Sequence, residues 1–278
     1  MSTLLHDAPG PRAKRTSLLL NIIAALAAAA GIIWILIKLA SKGQLGAAHW
    51  AIIGDPTVIA LLINGLGATL LVAVCAMALS LILGVILAAG RLSRRVWLRV
   101  PARVAVELLR GLPVLMLIFF IYLALPLIGI VISSFWALVL GVSLYNGALI
   151  AEIFRSGVNA LPHGQSEAAE SLGLRSSQIM RYILLPQAVR SMLPALISQL
   201  VVIVKESSLG FIVGYAEFAR DGNAVVNYLG TLYALPVYTE IAVVYIVINI
   251  LLSQIATRVE KRSRQRYGRA AQQVLDTE

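Results

Sequence analysis

Six long apolar runs constrain the fold of this chain more than any other feature of its sequence. Each run is about as long as a helix must be, roughly 20 residues, to cross a bilayer. The runs cover residues 17–40, 60–90, 112–131, 134–155, 192–213 and 236–257. Charged residues make up only 13% of the chain, whereas soluble domains carry about 25%. We therefore expect an all-α, polytopic membrane protein with about six transmembrane helices.

The basic residues predict how the runs are oriented in the membrane. Most of the Lys and Arg residues lie around residues 12–15, 91–103, 155–190 and 258–269, and the opposite connections carry only Lys42 and Arg220. Because cytoplasmic connections are rich in Lys and Arg, six crossings with both termini in the cytoplasm place every basic cluster on one side. This arrangement also accounts for the net charge of +10 without a nucleic-acid partner.

The first run, residues 17–40, follows a basic flank as the apolar region of a signal peptide does. Signal peptides, however, have apolar regions of about 7–15 residues, which is shorter than this run. Cleavage would also leave five crossings and place one terminus outside. We therefore expect the run to remain as a transmembrane helix of the plasma membrane.

The sequence carries no pattern typical of catalysis or of metal binding. Cys75 is the single cysteine, and His6, His49 and His163 lie far apart. No stretch matches the phosphate-binding loop G-x-x-x-x-G-K-[S/T], so the chain is not expected to hydrolyse ATP. We expect no catalytic, cofactor-binding or metal-binding residues, and a protein that is not an enzyme.

The stretch "SEAAESLGLRSSQIMRYILLPQA", residues 166–188, is unusually polar for the middle of this chain. Ser166 is a typical helix cap, and Gly173 can adopt the left-handed conformation that ends a helix. Ser176 or Ser177 can then cap a second, amphipathic helix, which Pro186 ends or bends. The predicted product is a short helix, a sharp bend and an amphipathic helix. It either docks on a partner or serves as an interfacial connector.

The same stretch resembles the membrane subunits of ATP-binding-cassette importers. The resemblance rests on Glu167, Ala168, Ala169, Gly173, Ile183, Leu185 and Pro186, which keep the spacing of that family's motif. In the family this segment couples the membrane subunit to the ATPase. The resemblance implies a type I importer permease fold, a cytoplasmic dimer of ATP-binding subunits, a second permease subunit (identical or homologous) and an external substrate-binding protein.

The charge pattern, the apolar runs and the resemblance together divide the chain into parts. The first two predict a basic cytoplasmic N-terminus at 1–16 and a transmembrane helix at 17–40, which is additional to the importer domain. The importer domain then covers 60–258, with its coupling loop at 160–186, and a basic cytoplasmic tail follows at 259–278.

The stretch "ELLRGLPVLMLIFF" resembles the Arg-Gly-Thr-Pro stretch of the family as a whole, with Leu112 in place of the usual Thr. The stretches "GALIAEIFRSGVNALPHGQSEAA" and "VIVKESSLGFIVG" are similar to the branch of the family that moves polar and charged amino acids, with Glu206 in place of the usual Asp. The N-terminal region resembles the second permease subunit of glutamate importers from Gram-positive bacteria. The resemblance implies a translocation path for a polar amino acid, with glutamate as the expected substrate.

Ionisable residues inside apolar runs are costly, so they are candidates for function. Glu107 and Arg110 are three residues apart and could form an ion pair on one helix face. Glu152 and Arg155 have the same spacing. A second set, inside the fifth run, is a candidate for the translocation path or, alternatively, for a buried pair that only stabilises the fold. It consists of Lys205, Glu206, Ser207 and Ser208.

Two other classes of protein remain as alternatives. A secondary transporter or channel would work without an ATPase, but such transporters often have duplicated halves, and no repeat relates residues 18–131 to 134–257. A membrane-embedded enzyme should carry a catalytic constellation, and none is visible.

Overall fold

The computed structural model describes the backbone of residues 10–275, and every regular element in that range is helical. Side chains are described up to residue 258, apart from residues 11, 13, 163 and 256. The α-helices are α1 (Pro11–Ser41), α2 (Ala47–Trp50), α3 (Pro56–Arg91), α4 (Val96–Gly111), α5 (Val114–Phe119), α6 (Ser134–Asn159), α7 (His163–Ser171), α8 (Ser176–Gln178), α9 (Leu185–Glu206), α10 (Phe218–Leu229) and α11 (Ala234–Leu275). Two π-helical turns, Phe120–Ala124 and Ile179–Leu184, and short 3-10 helices at Ala51–Gly54, Leu125–Ile128, Ser207–Phe211 and Thr231–Tyr233 complete the described chain.

Five helical segments within the described chain are long and apolar enough to cross a bilayer. They are Lys14–Ser41, Pro56–Arg91, Ser134–Asn159, Ser176–Phe211 and Thr231–Ile255. The segments Val96–Gly111 and Val114–Ile128 form a bent pair, and their axes differ in direction by 102°. Counted as one broken span, this pair brings the total to six. The predicted all-α, polytopic fold is confirmed, and its third span is the broken one.

The long helix α3 begins at a well-defined cap. The Asp55 carboxylate accepts hydrogen bonds from the backbone N–H groups of Thr57, at 2.8 Å, and Val58, at 3.2 Å. Pro56 occupies the first turn, where its missing N–H costs nothing. The helix has 36 residues, which corresponds to about 54 Å. Since the hydrocarbon core is about 30 Å thick, α3 extends beyond it.

The core of the bundle lies where α3, α6 and α9 meet. Val72 of α3, Leu138 of α6 and Ile203 of α9 are fully buried in one cluster. Gly84 lets α3 approach α6 closely, because a Cβ atom at this position would overlap the Ile150 side chain. The three helices therefore form the rigid body on which the polar sites are positioned.

Helix α1 lies apart from this body, with its apolar side chains exposed along the whole span. The segment that follows it returns to the bundle. The side-chain amide of Gln44 donates to the backbone carbonyl of Thr231 at 2.9 Å. His49 packs edge-on against Tyr233 with ring centroids 5.2 Å apart. The connection between α1 and α3 thus packs against the start of the last span.

Both π-helical turns end two residues before a proline. Ala124 precedes Pro126, and Leu184 precedes Pro186. Proline donates no hydrogen bond and clashes with the carbonyl four residues earlier, and a widened turn relieves both problems. Pro186 was expected to end or bend the amphipathic helix. The helix does not end there: a π-helical turn precedes Pro186, and the helical segment runs from Ser176 to Phe211, so the fifth span begins at Ser176 rather than at residue 192.

Parts of two predicted segments lie outside the described residues. In the basic N-terminus, 1–16, residues 1–9 lie outside the described part of the chain, and His6 is one of them. In the basic tail, 259–278, only the helical backbone up to Leu275 is described.

Candidate coupling segment and polar groove

The predicted coupling segment forms a helix, a sharp turn and a second helix. Helix α7 ends in a Schellman motif: the Leu174 N–H donates to the Ala169 carbonyl at 3.2 Å, and the Gly173 N–H donates to the Glu170 carbonyl at 2.9 Å. Gly173 has φ +78°, the left-handed conformation that glycine adopts without strain. The predicted role of Gly173 as the bend is confirmed.

The predicted caps of the two helices are wrong. Helix α7 begins at His163, directly after Pro162, so Ser166 lies inside it. Pro162 has the fixed φ of proline and starts the helix one turn earlier than expected. The second helix begins after Arg175, whose backbone N–H donates to the Gln178 side chain at 2.8 Å. Ser176 and Ser177 therefore lie beyond the cap.

The motif residues divide into an exposed and an inward-facing set. Glu167, Ala168, Leu185 and Pro186 are exposed, whereas Ala169 is buried and Ile183 is half-buried. Two large side chains beside the motif also face outward: Leu172 is 83% exposed and Tyr182 is 66% exposed. The turn therefore presents apolar side chains on a polar segment, which is typical of a docking surface.

A cluster of two carboxylates and three arginines lies near the C-terminal ends of α3 and α6. Glu152 accepts from Arg155 at 2.5 and 3.2 Å and from Arg91 at 2.6 Å. Arg110 lies 3.7 Å from the same carboxylate. The i,i+3 pair that the sequence suggests for Glu152 and Arg155 is present.

The suggested ion pair between Glu107 and Arg110 is not formed among the side chains that the structure describes. Among the described side chains, Glu107 forms its ion pair with Arg91, at 3.8 Å, and Arg110 forms its pair with Glu152. The reason is the packing of α4 across the ends of α3 and α6, which offers each residue a closer partner than its neighbour on the helix. Glu107 and Arg110 thus join three helices rather than one helix face.

Glu206 takes part in a polar network between α6 and α9. The side-chain amide of Asn146 donates to a Glu206 oxygen at 2.5 Å, and the Gln199 amide donates to the Asn146 oxygen. Asn146 is fully buried. Ser207 is buried as well, and its hydroxyl donates to the Val204 carbonyl at 2.7 Å. Glu206 and Ser207 therefore face the protein interior.

Lys205 points in a different direction from Glu206, as adjacent helical residues do. Lys205 is exposed and, with Ser208, lines one wall of a groove of about 790 Å³ between α9 and α11. The opposite wall carries polar side chains along α11: Tyr245, Asn249, Ser253, Gln254, Thr257 and Arg258. This region, here called the polar groove, has a cation on each wall.

Glu217 is a buried carboxylate that was not among the predicted site residues. Glu217 is fully buried and caps α10, accepting from the backbone N–H of Arg220 at 2.8 Å and from the Tyr245 hydroxyl at 3.2 Å. Burial raises the pKa of the Glu217 carboxyl, and hydrogen bonds from the backbone oppose that shift. The sequence offered one signal, an acidic residue directly before the amphipathic stretch 218–229.

Comparison with known proteins identifies the family. The family described as "binding-protein-dependent transport system inner membrane component" matches residues 80–265. The glutamate transport system permease protein GluD of Corynebacterium glutamicum is 42% identical over 245 residues, covering 85% of this chain and 87% of its own. The glutamine transport system permease protein GlnP of Escherichia coli (strain K12) is 36% identical over 206 residues, covering 73% and 93%.

A solved structure agrees with these relatives. The crystal structure of an amino acid ABC transporter with histidines has 32% identity and a TM-score of 0.70, covering 73% of this chain and 94% of its own. Because this family consists of transporter subunits that work with a separate ATPase, the alternatives of a secondary transporter and of an enzyme are set aside. The chain belongs to the binding-protein-dependent transport system inner membrane components and is the permease subunit of an amino-acid importer of the ATP-binding-cassette type.

Proposed function

We propose that this permease forms the translocation path for glutamate, which an external binding protein delivers. The observation that carries the proposal is the polar groove, in which Lys205 on one wall and Arg258 on the other provide two cations. A substrate with two carboxylates and one ammonium matches them, since an unpaired charge in an apolar environment is costly. The likeness to GluD, a glutamate transport protein, supports the same substrate.

Glutamine is the second candidate, because the relative GlnP is a glutamine transport protein. Glutamine has the shape of glutamate but lacks the second negative charge, so it would need only one of the two cations. Asn249, Ser253 and Gln254 in the groove offer hydrogen bonds that suit its amide.

Uptake by the complete importer distinguishes the candidates. The permease, its partner permease, the ATP-binding subunits and the binding protein are reconstituted in liposomes, and uptake of radiolabelled glutamate, glutamine and aspartate is measured. We expect glutamate to accumulate fastest. Faster uptake of glutamine would overturn the substrate, and failure of all three would remove this group of substrates while leaving the family unchanged.

We further propose that the coupling segment docks on the ATP-binding subunits at the cytoplasmic face, and that both termini lie on that side. The segment lies at the same end of the bundle as the arginine cluster, because Arg94 approaches Glu170 of α7 at 3.8 Å. Both therefore belong to one face, and that face carries most of the positive charge.

Accessibility of single cysteines tests this orientation in a Cys75→Ala background. Cysteines at Ser41 and at Tyr228, which is 89% exposed, should react with an impermeant thiol reagent added to intact cells. A cysteine at Ser177, which is exposed in the coupling segment, should react only after the membrane is opened. The reverse pattern would overturn the proposed orientation.

A further inference from the structure

Helix α4 lies nearly perpendicular to the helix that follows it. The direction of the chain changes by 102° between Val96–Gly111 and Val114–Ile128. The side chain of Ala102 lies against Gly90, near the end of α3. We take Val114–Ile128 as the part of the broken third span that crosses the bilayer, which places α4 along the bilayer, near the level where α3 ends.

Three different faces run along α4. Val106 is fully buried and, with Ala102, faces the bundle. At 100° per residue, the basic residues form a second stripe, and large apolar side chains form a third. The basic stripe holds Arg99, Arg103 and Arg110, and the apolar stripe holds Trp97 (66% exposed), Val100 (50%), Val104 (51%) and Leu108 (64%).

Three arginines at the start of α4 face outward. Arg95, Arg99 and Arg103 are exposed, and none has a carboxylate within 4.0 Å among the side chains that the structure describes. The Arg95 guanidinium lies over the Trp97 ring, 5.8 Å from its centroid. Tryptophan and arginine side by side on an amphipathic helix are typical of the boundary between headgroups and acyl chains.

We propose that α4 is a binding surface for anionic phospholipids of the cytoplasmic leaflet. Arg95, Arg99 and Arg103 bind headgroup phosphates, and the apolar stripe enters the acyl-chain layer. The choice of a lipid over a protein partner rests on charge complementarity between the arginines and headgroup phosphates, and on the exposed apolar stripe beside them, which matches acyl chains. The proposal rests on the proposed orientation, which places α4 at the cytoplasmic face.

The same helix connects this surface to the arginine cluster. Glu107 reaches Arg91 of α3, and Arg110 reaches Glu152 of α6. Headgroups held by Arg99 and Arg103 therefore fix a helix that contacts the ends of two spans. We expect transport to be faster in membranes that contain anionic lipid.

Photocrosslinking from Val100 tests the surface directly in the complete importer. Val100 is replaced by a benzophenone amino acid, the importer is reconstituted in equal parts phosphatidylglycerol and phosphatidylcholine, and the adducts are identified by mass spectrometry. We expect phosphatidylglycerol adducts to exceed phosphatidylcholine adducts at least about fivefold, since each basic residue near a surface contributes about 1 kcal/mol. The Arg99→Gln/Arg103→Gln variant should lose this preference, and the charge-conserving Arg99→Lys/Arg103→Lys variant should keep it.

Two results would overturn the proposal. Adducts mainly to protein would show that a partner subunit covers α4, and equal adducts of the two lipids in the wild type would show no headgroup binding. The measurement requires no transport, so an error in the proposed substrate leaves it unaffected. The cysteine-accessibility measurement separates an error in orientation from an error in lipid binding.

Discussion

Asn146 and Glu206 join α6 to α9 through a hydrogen bond of 2.5 Å inside the bundle. The sequence placed Glu206 and its neighbour Lys205 together in the candidate translocation path, yet the two side chains face different environments. Lys205 faces the polar groove, whereas Glu206 faces a fully buried amide. We infer that Glu206 stabilises the helix pair and that Lys205 contacts the substrate.

Replacing Asn146 with Leu should therefore destabilise the protein, because it leaves the Glu206 carboxyl and the Gln199 amide without their partner. The expected cost is about 1–3 kcal/mol, measured as a lower thermal-unfolding midpoint of the purified importer. The matched control is Glu206→Gln, which keeps a hydrogen-bonding side chain of the same length and should shift the midpoint less. An unchanged midpoint for Asn146→Leu would contradict this role.

Gly173→Val should uncouple transport from ATP hydrolysis. Nothing lies within 4 Å of a Cβ atom placed at Gly173, so the substitution acts through backbone strain at φ +78°. That strain costs on the order of 1–3 kcal/mol and should distort the turn that carries Leu172. Uptake should fall while the variant still inserts and assembles. Gly173→Asn, which tolerates this conformation better, is the control, and normal uptake by the Val variant would argue against docking by this turn.

Neutralising Glu152 should disrupt the arginine cluster. Glu152→Gln leaves Arg91, Arg110 and Arg155 close together without the carboxylate that they share. Because Arg110 is the most distant of the three, at 3.7 Å, Arg110→Gln should have the smaller effect on the thermal-unfolding midpoint. Equal midpoints for the two variants would show that Glu152 does not organise the cluster.

Stability should depend on pH through Glu217. Burial raises the pKa of this carboxyl above its ordinary value of 4.5, so the folded protein holds the proton more tightly than the unfolded chain. The resulting stabilisation is fully present below pH 4.5, the ordinary pKa, and is lost as the pH rises through the raised pKa of the folded protein. Glu217→Gln should remove this part of the pH dependence of the thermal-unfolding midpoint.

Asp55 provides a control of opposite sign. Hydrogen bonds from the backbone N–H groups of Val58 and Thr57 lower the pKa of the Asp55 carboxyl. The stabilisation that this carboxylate provides is therefore present above its ordinary pKa of 3.8 and is lost as the pH falls through the lowered pKa. Asp55→Asn should change the profile only at the acidic end. Identical profiles for wild type and Glu217→Gln would show that Glu217 does not titrate differently on folding.

The spans and the coupling turn could be predicted from sequence because their signals are local. A long apolar run predicts a crossing wherever it lies, and Gly173 ends α7 through its own backbone conformation. The partners of Glu107 and Arg110 could not be predicted, because Arg91 and Glu152 reach them only through the packing of three helices. Glu217 was missed for the same reason: its burial depends on Thr69 and Tyr245, which are distant in the sequence.

We propose that the amino acid carried by this importer passes along the polar groove and meets Lys205. The most direct test is radiolabelled glutamate uptake by the reconstituted importer with Lys205→Met, measured together with basal ATP hydrolysis and with Lys205→Arg as the charge-conserving control. A lost charged hydrogen bond costs about 1.5–3 kcal/mol, so uptake by Lys205→Met should fall roughly tenfold or more while basal ATP hydrolysis persists and Lys205→Arg keeps most of its uptake. Glutamate uptake by Lys205→Met at the wild-type rate would contradict contact between the substrate and Lys205 in the polar groove.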